Sequence, residues 1–272
     1  MARQSAKLIA AAIGTLAAFL AVPADPAQAS LITFKEGISP TGAYTAPSAT
    51  IRSDQGNNNY GADAITIVGK TTTPAVLRSV YAFDVSDIPD GAPIDGATLR
   101  LTVSSSDGTS ISAPITLELY QLSASFTEGA GNSSGANNGN VSWNFRGPTS
   151  ATTWGAPGGD FSPTLLASIT ANPRTVAPGT LVDFVGEPAF VSAIQAASDA
   201  NATLYLVVKS AAVVESANVR EIFFFASDEN TNTAYRPALT VSYVPEPASA
   251  AVVAIGAIGL LARRRRGTSA GR

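Results

Sequence analysis

The chain has 272 residues and a formal net charge of −3, and it contains neither cysteine nor histidine. Without these two residue types there are no disulfides, no thiolate or imidazole zinc sites, and no Ser-His-Asp or Cys-His catalytic systems. Any chemistry must therefore come from carboxylate, Lys, Tyr or Ser side chains.

The first 29 residues have the organisation of a signal peptide. Two basic residues precede an apolar run at residues 8–22, and Ala27 and Ala29 supply small side chains before Ser30. This order predicts export and cleavage before Ser30. The alternative is an uncleaved membrane anchor, although the apolar run is shorter than the ~20 residues that a spanning helix needs.

Residues 30–243 are sufficient for one domain with a hydrophobic core. This body contains ten Lys and Arg residues against eighteen Asp and Glu residues, so its net charge is −8. An acidic surface disfavours nucleic acid as a partner, because phosphates attract the opposite charge. In an exported domain without cysteine, stability must come from burial of apolar side chains.

The stretch 78–103 shows the strand pattern most clearly. From Ala97 to Val103 apolar residues alternate with polar ones, which is typical of a strand with one face on a core. The preceding strand, at 76–85, is apolar on both faces, and this predicts a central position in a sheet. Asp, Pro and Gly residues between the two strands provide turn chemistry. The other strands are expected to be partners of these two.

Ten strands and one helix are predicted along the body. The strands are expected at 49–52, 65–68, 76–85, 97–103, 115–119, 165–169, 181–185, 204–208, 222–225 and 239–243. Helical spacing of apolar residues from Glu187 to Ala197, with Pro188 in the first turn, predicts the helix. The series predicts an all-β fold, an antiparallel β-sandwich of jelly-roll type with one short helix.

A loop rich in side-chain oxygen follows the first predicted strand. Its oxygen-bearing residues include Asp54, Asn57, Asn58, Asn59 and Asp63. Calcium takes six to eight oxygen ligands and tolerates irregular geometry, so these residues are candidate Ca²⁺ ligands. The alternative is that each side chain forms a turn with its own backbone.

Residues 128–159 are rich in Gly, Asn and Ser, and their low apolar content predicts a surface loop outside the core. Trp143, Phe145 and Trp154 lie within this stretch. They are candidates for a platform that stacks on the C–H faces of sugar rings. The alternative is that the two tryptophans close one end of the sandwich.

The charged residues suggest no catalytic group directly. Arg78 and Arg236 are expected to form structural ion pairs with Asp84 or Asp228. The many acids leave open a hydrolase or lyase that uses two carboxylates, but no spacing in the sequence identifies such a pair.

The C-terminal segment, residues 244–266, has three parts in order. Val244, Pro245, Glu246 and Pro247 are followed by an apolar run at 248–262, which predicts a transmembrane helix, and then by Arg263, Arg264, Arg265 and Arg266; residues 267–272 form a short tail. The arginines are expected to hold the C-terminus in the cytoplasm, with the body outside. The helix is about 22 Å long at ~1.5 Å per residue, so it spans a bilayer only with local thinning.

This arrangement resembles the PEP-CTERM sorting tail of Gram-negative bacteria that make extracellular polysaccharide. The resemblance implies recognition by an exosortase, processing near Pro245 to Pro247, and release or attachment outside the cell. The alternative is a plain tail anchor.

The body resembles the DNRLRE-type β-sandwich, which is related to alginate-binding carbohydrate-binding modules. Matching features are Asn59-Tyr60-Gly61 before a strand, Arg78 with Phe83-Asp84, the stretch from Ile88-Pro89 to Leu101, Thr127-Glu128, and Arg236-Pro237. The chain has Phe126 where that family commonly has Trp, and it has a Gly/Asn-rich insertion afterwards.

Together these features predict an exported, exosortase-sorted, non-enzymatic surface or matrix protein that contacts extracellular polysaccharide. Because the body is acidic, a neutral glycan, or an anionic one bridged by Ca²⁺, is expected rather than direct binding of a polyanion. Two alternatives remain: a carboxylate-based polysaccharide hydrolase or lyase, and a purely structural matrix component.

The predicted processing can be tested on the protein exported by its native host. We expect mass spectrometry to find an N-terminus at Ser30 and a C-terminus near Pro245 to Pro247, because both flanking segments carry sorting signals. Recovery of the intact 272-residue chain from the cytosol would contradict both predictions.

Overall fold

The computed structural model describes residues 28–72, 75–132, 140–149 and 151–245. Most of the predicted signal peptide lies outside these ranges, and so do Glu246, Pro247, the predicted transmembrane segment 248–262, the four arginines at 263–266 and the tail at 267–272. Within the described ranges no helix is both long and apolar enough to cross a membrane.

Eleven strands and two α-helices form the described body. The strands are β1 (Ser30–Lys35), β2 (Ser48–Arg52), β3 (Ile65–Lys70), β4 (Val76–Asp84), β5 (Ile94–Ser105), β6 (Ile115–Leu122), β7 (Phe161–Ala171), β8 (Leu181–Val185), β9 (Thr203–Ser210), β10 (Glu221–Ala226) and β11 (Ala238–Tyr243); the helices are α1 (Pro188–Asp199) and α2 (Ala212–Ser216). Short 3₁₀ turns occupy Ser53–Gln55 and Thr233–Tyr235.

The strands form one curled antiparallel sheet in the order β1-β11-β5-β10-β3-β4-β9-β6-β7, with β2 paired to β4 and β8 paired to β5. The corner is β5: its first part pairs with β11 and β8, whereas Val103 and Ser105 pair with β10. The prediction of a mostly antiparallel β fold is confirmed. As expected, β4 and β5 pair with most of the other strands, each in its own half of the sheet.

Inward-facing side chains of both halves share one core. The alternation predicted for β5 is confirmed, because Leu99, Leu101 and Val103 are all buried there. Helix α1 closes one side of this core with Phe190 and Ile194, both fully buried. Burying a large apolar side chain of this kind stabilises the fold by about 1.5–3 kcal/mol.

The outer face of the β4 half carries a second, smaller core. Val80 and Ala82 on β4 and Val207 on β9 point away from the main core and pack against Val141 and Trp154. We call residues 123–132, 140–149 and 151–160 the covering segment. The expectation that this Gly/Asn-rich stretch stays out of the core is wrong for Val141 and Trp154, which are buried on the sheet, whereas Trp143 and Phe145 are half-buried.

Two elements were not predicted from the sequence. Strand β1 pairs with β11 along the edge of the sheet, from Ser30 opposite Tyr243 to Lys35 opposite Ala238. Helix α2 has only five residues, too few to show a helical period. The body therefore begins and ends on neighbouring strands, since β1 is its first strand and β11 its last.

Gly69→Ala tests the close approach of β3 and β10. The Gly69 φ is +137°, and a Cβ there would lie 1.8 Å from the Glu221 carbonyl oxygen. We expect the variant to lose about 3 kcal/mol in the free energy of unfolding, measured by urea denaturation. Gly42→Ala is the matched control, because no heavy atom lies within 4 Å of its added Cβ. Equal stabilities of the two variants would contradict this account.

Candidate functional site

Four of the five side chains proposed as calcium ligands, those of Asp54, Asn57, Asn58 and Asn59, hydrogen-bond to other groups of the protein. Asp54 forms an ion pair with Arg52 at 2.9 Å, and this hydrogen-bonded arginine lowers the pKa of the carboxyl. The Oδ1 atom of Asn57 accepts a hydrogen bond from Nδ2 of Asn144 at 2.8 Å. Burial raises the pKa of Asp63, which disfavours its charged form. These contacts favour the structural interpretation of the loop over the metal site.

Asn59 is fully buried and clamps the covering segment to the body. Its Nδ2 donates to the carbonyl oxygens of Glu128 and of Val141, the latter at 2.7 Å. Its Oδ1 accepts from the backbone N–H of Gly131 at 2.7 Å and of Gly61 at 3.3 Å. The whole hydrogen-bonding capacity of the amide is thus used within the protein.

The three aromatic residues predicted as a sugar platform do not share one open face. Trp154 is 4% exposed, and its indole N–H donates to the Ser142 carbonyl at 2.9 Å. Phe145 lies in an isolated bridge with Thr153 and is half-buried. Trp143 is also half-buried; it packs against the second core, which contains Trp154, and belongs to a group of side chains on the outer sheet face.

This group is centred on Arg78 of β4. The guanidinium lies 5.0 Å from the ring centroid of Trp143 and 5.4 Å from that of Phe161. It makes a two-point ion pair with Glu215 of α2, at 2.9 and 2.7 Å, and donates to the Gly158 carbonyl at 2.7 Å. The sequence-based expectation of an Arg78 to Asp84 pair is wrong, because the planar guanidinium finds its partner on α2.

Aromatic rings and a cation also lie next to one another on the neighbouring strands β6, β7 and β9. The rings of Tyr120 and Phe161 lie 5.2 Å apart, and Nζ of Lys209 lies 5.8 Å from the Tyr120 centroid. Glu118 accepts from the Tyr120 hydroxyl at 3.1 Å and from Lys209 at 3.3 Å. We call Trp143, Arg78, Phe161, Tyr120 and Lys209 the aromatic–cation row.

The charges of the row are balanced, and its side chains are partly or largely buried. Its two cations face two carboxylates, Glu215 and Glu118, and Lys209 lies within 3.9 Å of Glu215 as well. The side chains of Arg78 and Glu215 are each only 13% exposed, whereas Trp143, Phe161 and Tyr120 are half-buried. Aromatic faces fixed beside polar groups can stack on a ligand with apolar C–H faces and hydroxyl edges.

A separate cluster of acids lies where the covering segment begins. Oxygen atoms of Glu128, Asp228 and Glu229 lie within 4.8 Å of one another, close enough to hold a cation. The backbone N–H of Ser48 donates to Glu128 at 2.8 Å and to Asp228 at 3.1 Å, and the Ser48 hydroxyl donates to Asp228 at 2.6 Å. The expected Arg236 to Asp228 pair does not form, because Arg236 donates to backbone carbonyls instead.

Burial controls the protonation of this cluster. It raises the pKa of Glu128 to about 9, and the nearby Asp228 charge adds to the effect. It also raises the pKa of Asp228 to about 6, although the Ser48 hydrogen bond partly opposes this. Sequence spacing could not identify the pair, because Glu128 and Asp228 come from distant parts of the chain.

Compared with known proteins, the chain matches no family model and no curated protein. The resemblances to the PEP-CTERM tail and to the DNRLRE-type module therefore stay predictions from the sequence.

The raised pKa values of the acidic pair predict a stability that depends on pH. The unfolded carboxyls ionise near pH 4, well before the folded ones, so the free energy of unfolding should fall as the pH rises from about 5 to about 9. Glu128→Gln should reduce this fall by at least ~1 kcal/mol, measured by urea denaturation across that range. Asp90→Asn, at an exposed position, is the control, and an unchanged pH profile in Glu128→Gln would contradict the assignment.

Proposed function

We propose that this protein is an exported, non-enzymatic surface or matrix protein whose sandwich-like β domain binds extracellular polysaccharide. The jelly-roll-like, DNRLRE-type identity of the domain is part of this proposal. So is its sorting by an exosortase through residues 244–266, with a transient C-terminal membrane anchor.

The observation that carries the proposal is the aromatic–cation row. Three half-buried rings are held on a sheet by two cations that are themselves neutralised by Glu215 and Glu118. A ring held in one orientation loses little conformational freedom when a ligand binds, which improves affinity. Sugar rings combine apolar C–H faces with hydroxyl groups, so they match both components of the row.

Charge restricts the type of polysaccharide. The body carries a net charge of −8, and the cations of the row are already paired. A polyanion would therefore meet repulsion, and a neutral glycan is the expected ligand. An anionic glycan would need a bridging cation. Among the described residues, Glu128, Asp228 and Glu229 bring three carboxyl groups together, and a cation bound there would have to displace the proton that burial keeps on Glu128.

The acidic pair is poorly placed to be the two catalytic carboxyls of a glycosidase. Catalytic carboxyls in glycosidases stand on either side of the scissile bond, about 5 Å or more apart. The oxygens of Glu128 and Asp228 lie within 4.8 Å of each other, and Asp228 is only 5% exposed. A sugar could not enter between them without displacing the hydrogen bonds from Ser48.

Glycan-array binding with the purified protein tests the proposal. We expect neutral polysaccharides to bind, and Trp143→Ala and Tyr120→Ala each to weaken binding at least about tenfold, because each removes a stacking face. Phe145→Ala is the matched control, since this ring lies on the covering segment outside the row, and its affinity should stay within about twofold.

Three outcomes would contradict the proposal or one of its parts. Absence of binding to any glycan, with or without Ca²⁺, would favour a purely structural matrix protein. Reducing-sugar release from a bound glycan would favour the hydrolase. Binding that requires Phe145 but not Tyr120 would move the ligand surface away from the row.

A further inference from the structure

A pocket of about 300 Å³ lies beside α2, and nothing in the proposed glycan site uses it. Its walls come from the start of β6, from α2 and from the start of β10. The wall residues are mainly apolar and include Pro114, Ile115, Val213, Val214, Ala217 and Val219. Such a volume accommodates a small organic molecule rather than an oligosaccharide.

One acid, Glu221, lines this otherwise apolar pocket. Glu221 is only 4% exposed, and its Oε2 atom has no hydrogen-bond partner among the described residues. Lys70 lies directly opposite on β3, but its ammonium group donates to the Glu215 carbonyl oxygen instead. Burial raises the pKa of Glu221, as expected for a carboxyl without a compensating cation.

A buried carboxylate oxygen without a hydrogen-bond partner, such as Oε2 of Glu221, destabilises a fold. Glu221 therefore has an unmet requirement for a hydrogen-bond donor, and a positively charged donor meets it best. A sugar would bring several hydroxyls against apolar walls that offer them no partner. An anionic ligand would be repelled by the carboxylate.

We propose that the pocket binds a small aliphatic ammonium compound, with its carbon chain against α2 and its ammonium group on Glu221. The pocket lies apart from the aromatic–cation row but shares α2 with it. Glu215 of α2 faces Arg78, whereas Val214 lines the pocket. The proposal does not depend on glycan binding.

Hexylammonium chloride is a suitable probe, titrated into the purified protein at about pH 8 and followed by calorimetry and ligand-observed NMR. We expect it to bind at least about tenfold more tightly than 1-hexanol, because only the ammonium group forms a charge-assisted hydrogen bond with Glu221. Glu221→Gln should weaken hexylammonium binding at least about tenfold and remove the preference over the alcohol. Glu187→Gln, the same change at an exposed position, should leave both affinities unchanged.

A second variant tests the pocket independently, in case Glu221→Gln does not fold. Ala217→Leu adds bulk to the pocket wall immediately after α2, so it should weaken binding of both hexylammonium and 1-hexanol while circular dichroism remains that of the wild type. The proposal is overturned if hexylammonium fails to bind, if Glu221→Gln binds it as tightly as the wild type does, or if Ala217→Leu leaves binding intact.

Discussion

The buried amide of Asn59 is the contact on which the outer face of this protein depends. A Gly/Asn-rich segment gains little from packing, because ordering each residue costs about 1–2 kcal/mol of backbone entropy and few apolar side chains offset it. Three of the four hydrogen bonds of this buried side chain fix two parts of the covering segment, at Glu128 to Gly131 and at Val141. With the segment in place, Val141 and Trp154 complete the second core, Trp143 reaches Arg78, and Glu128 reaches Asp228.

The charged groups above this second core position the rings more than they stabilise the fold. A largely buried ion pair such as Arg78 with Glu215 gains Coulomb energy but loses hydration, so its net contribution to stability is small. The pair does fix the orientation of the Arg78 guanidinium, because a two-point contact with Glu215 holds its plane close to the rings of Trp143 and Phe161. The same carboxylate ties α2 to the sheet, and α2 in turn forms a wall of the Glu221 pocket.

Local patterns in the sequence predicted most of the strands and the longer helix, but not which distant side chains meet in the folded protein. Alternation, short apolar runs and the turn residues that bound them located ten of the eleven strands, and helical spacing located α1, because all of these depend on near neighbours in the chain. The groups with functional potential depend on distant pairs: Arg78 meets Glu215 across 137 positions, and Asn59 meets Val141 across 82. No local pattern reports such pairs. The Asn-rich loop resembled a calcium site because an Asn side chain can either bind a cation or form hydrogen bonds with backbone groups, as Asn59 does. Composition does not distinguish these two uses.

The central claim is that the covering segment is folded onto the sheet, and the indole N–H of Trp154 tests it directly. The protein has two tryptophans, so its indole signals can be assigned by NMR with one Trp143→Phe variant. Because the Trp154 N–H is buried and bonded to Ser142, we expect its hydrogen exchange to be slowed at least ~10³-fold, and Asn59→Ala to abolish most of that protection. Exchange of the Trp154 indole at the rate of a free tryptophan in the wild-type protein would contradict the account.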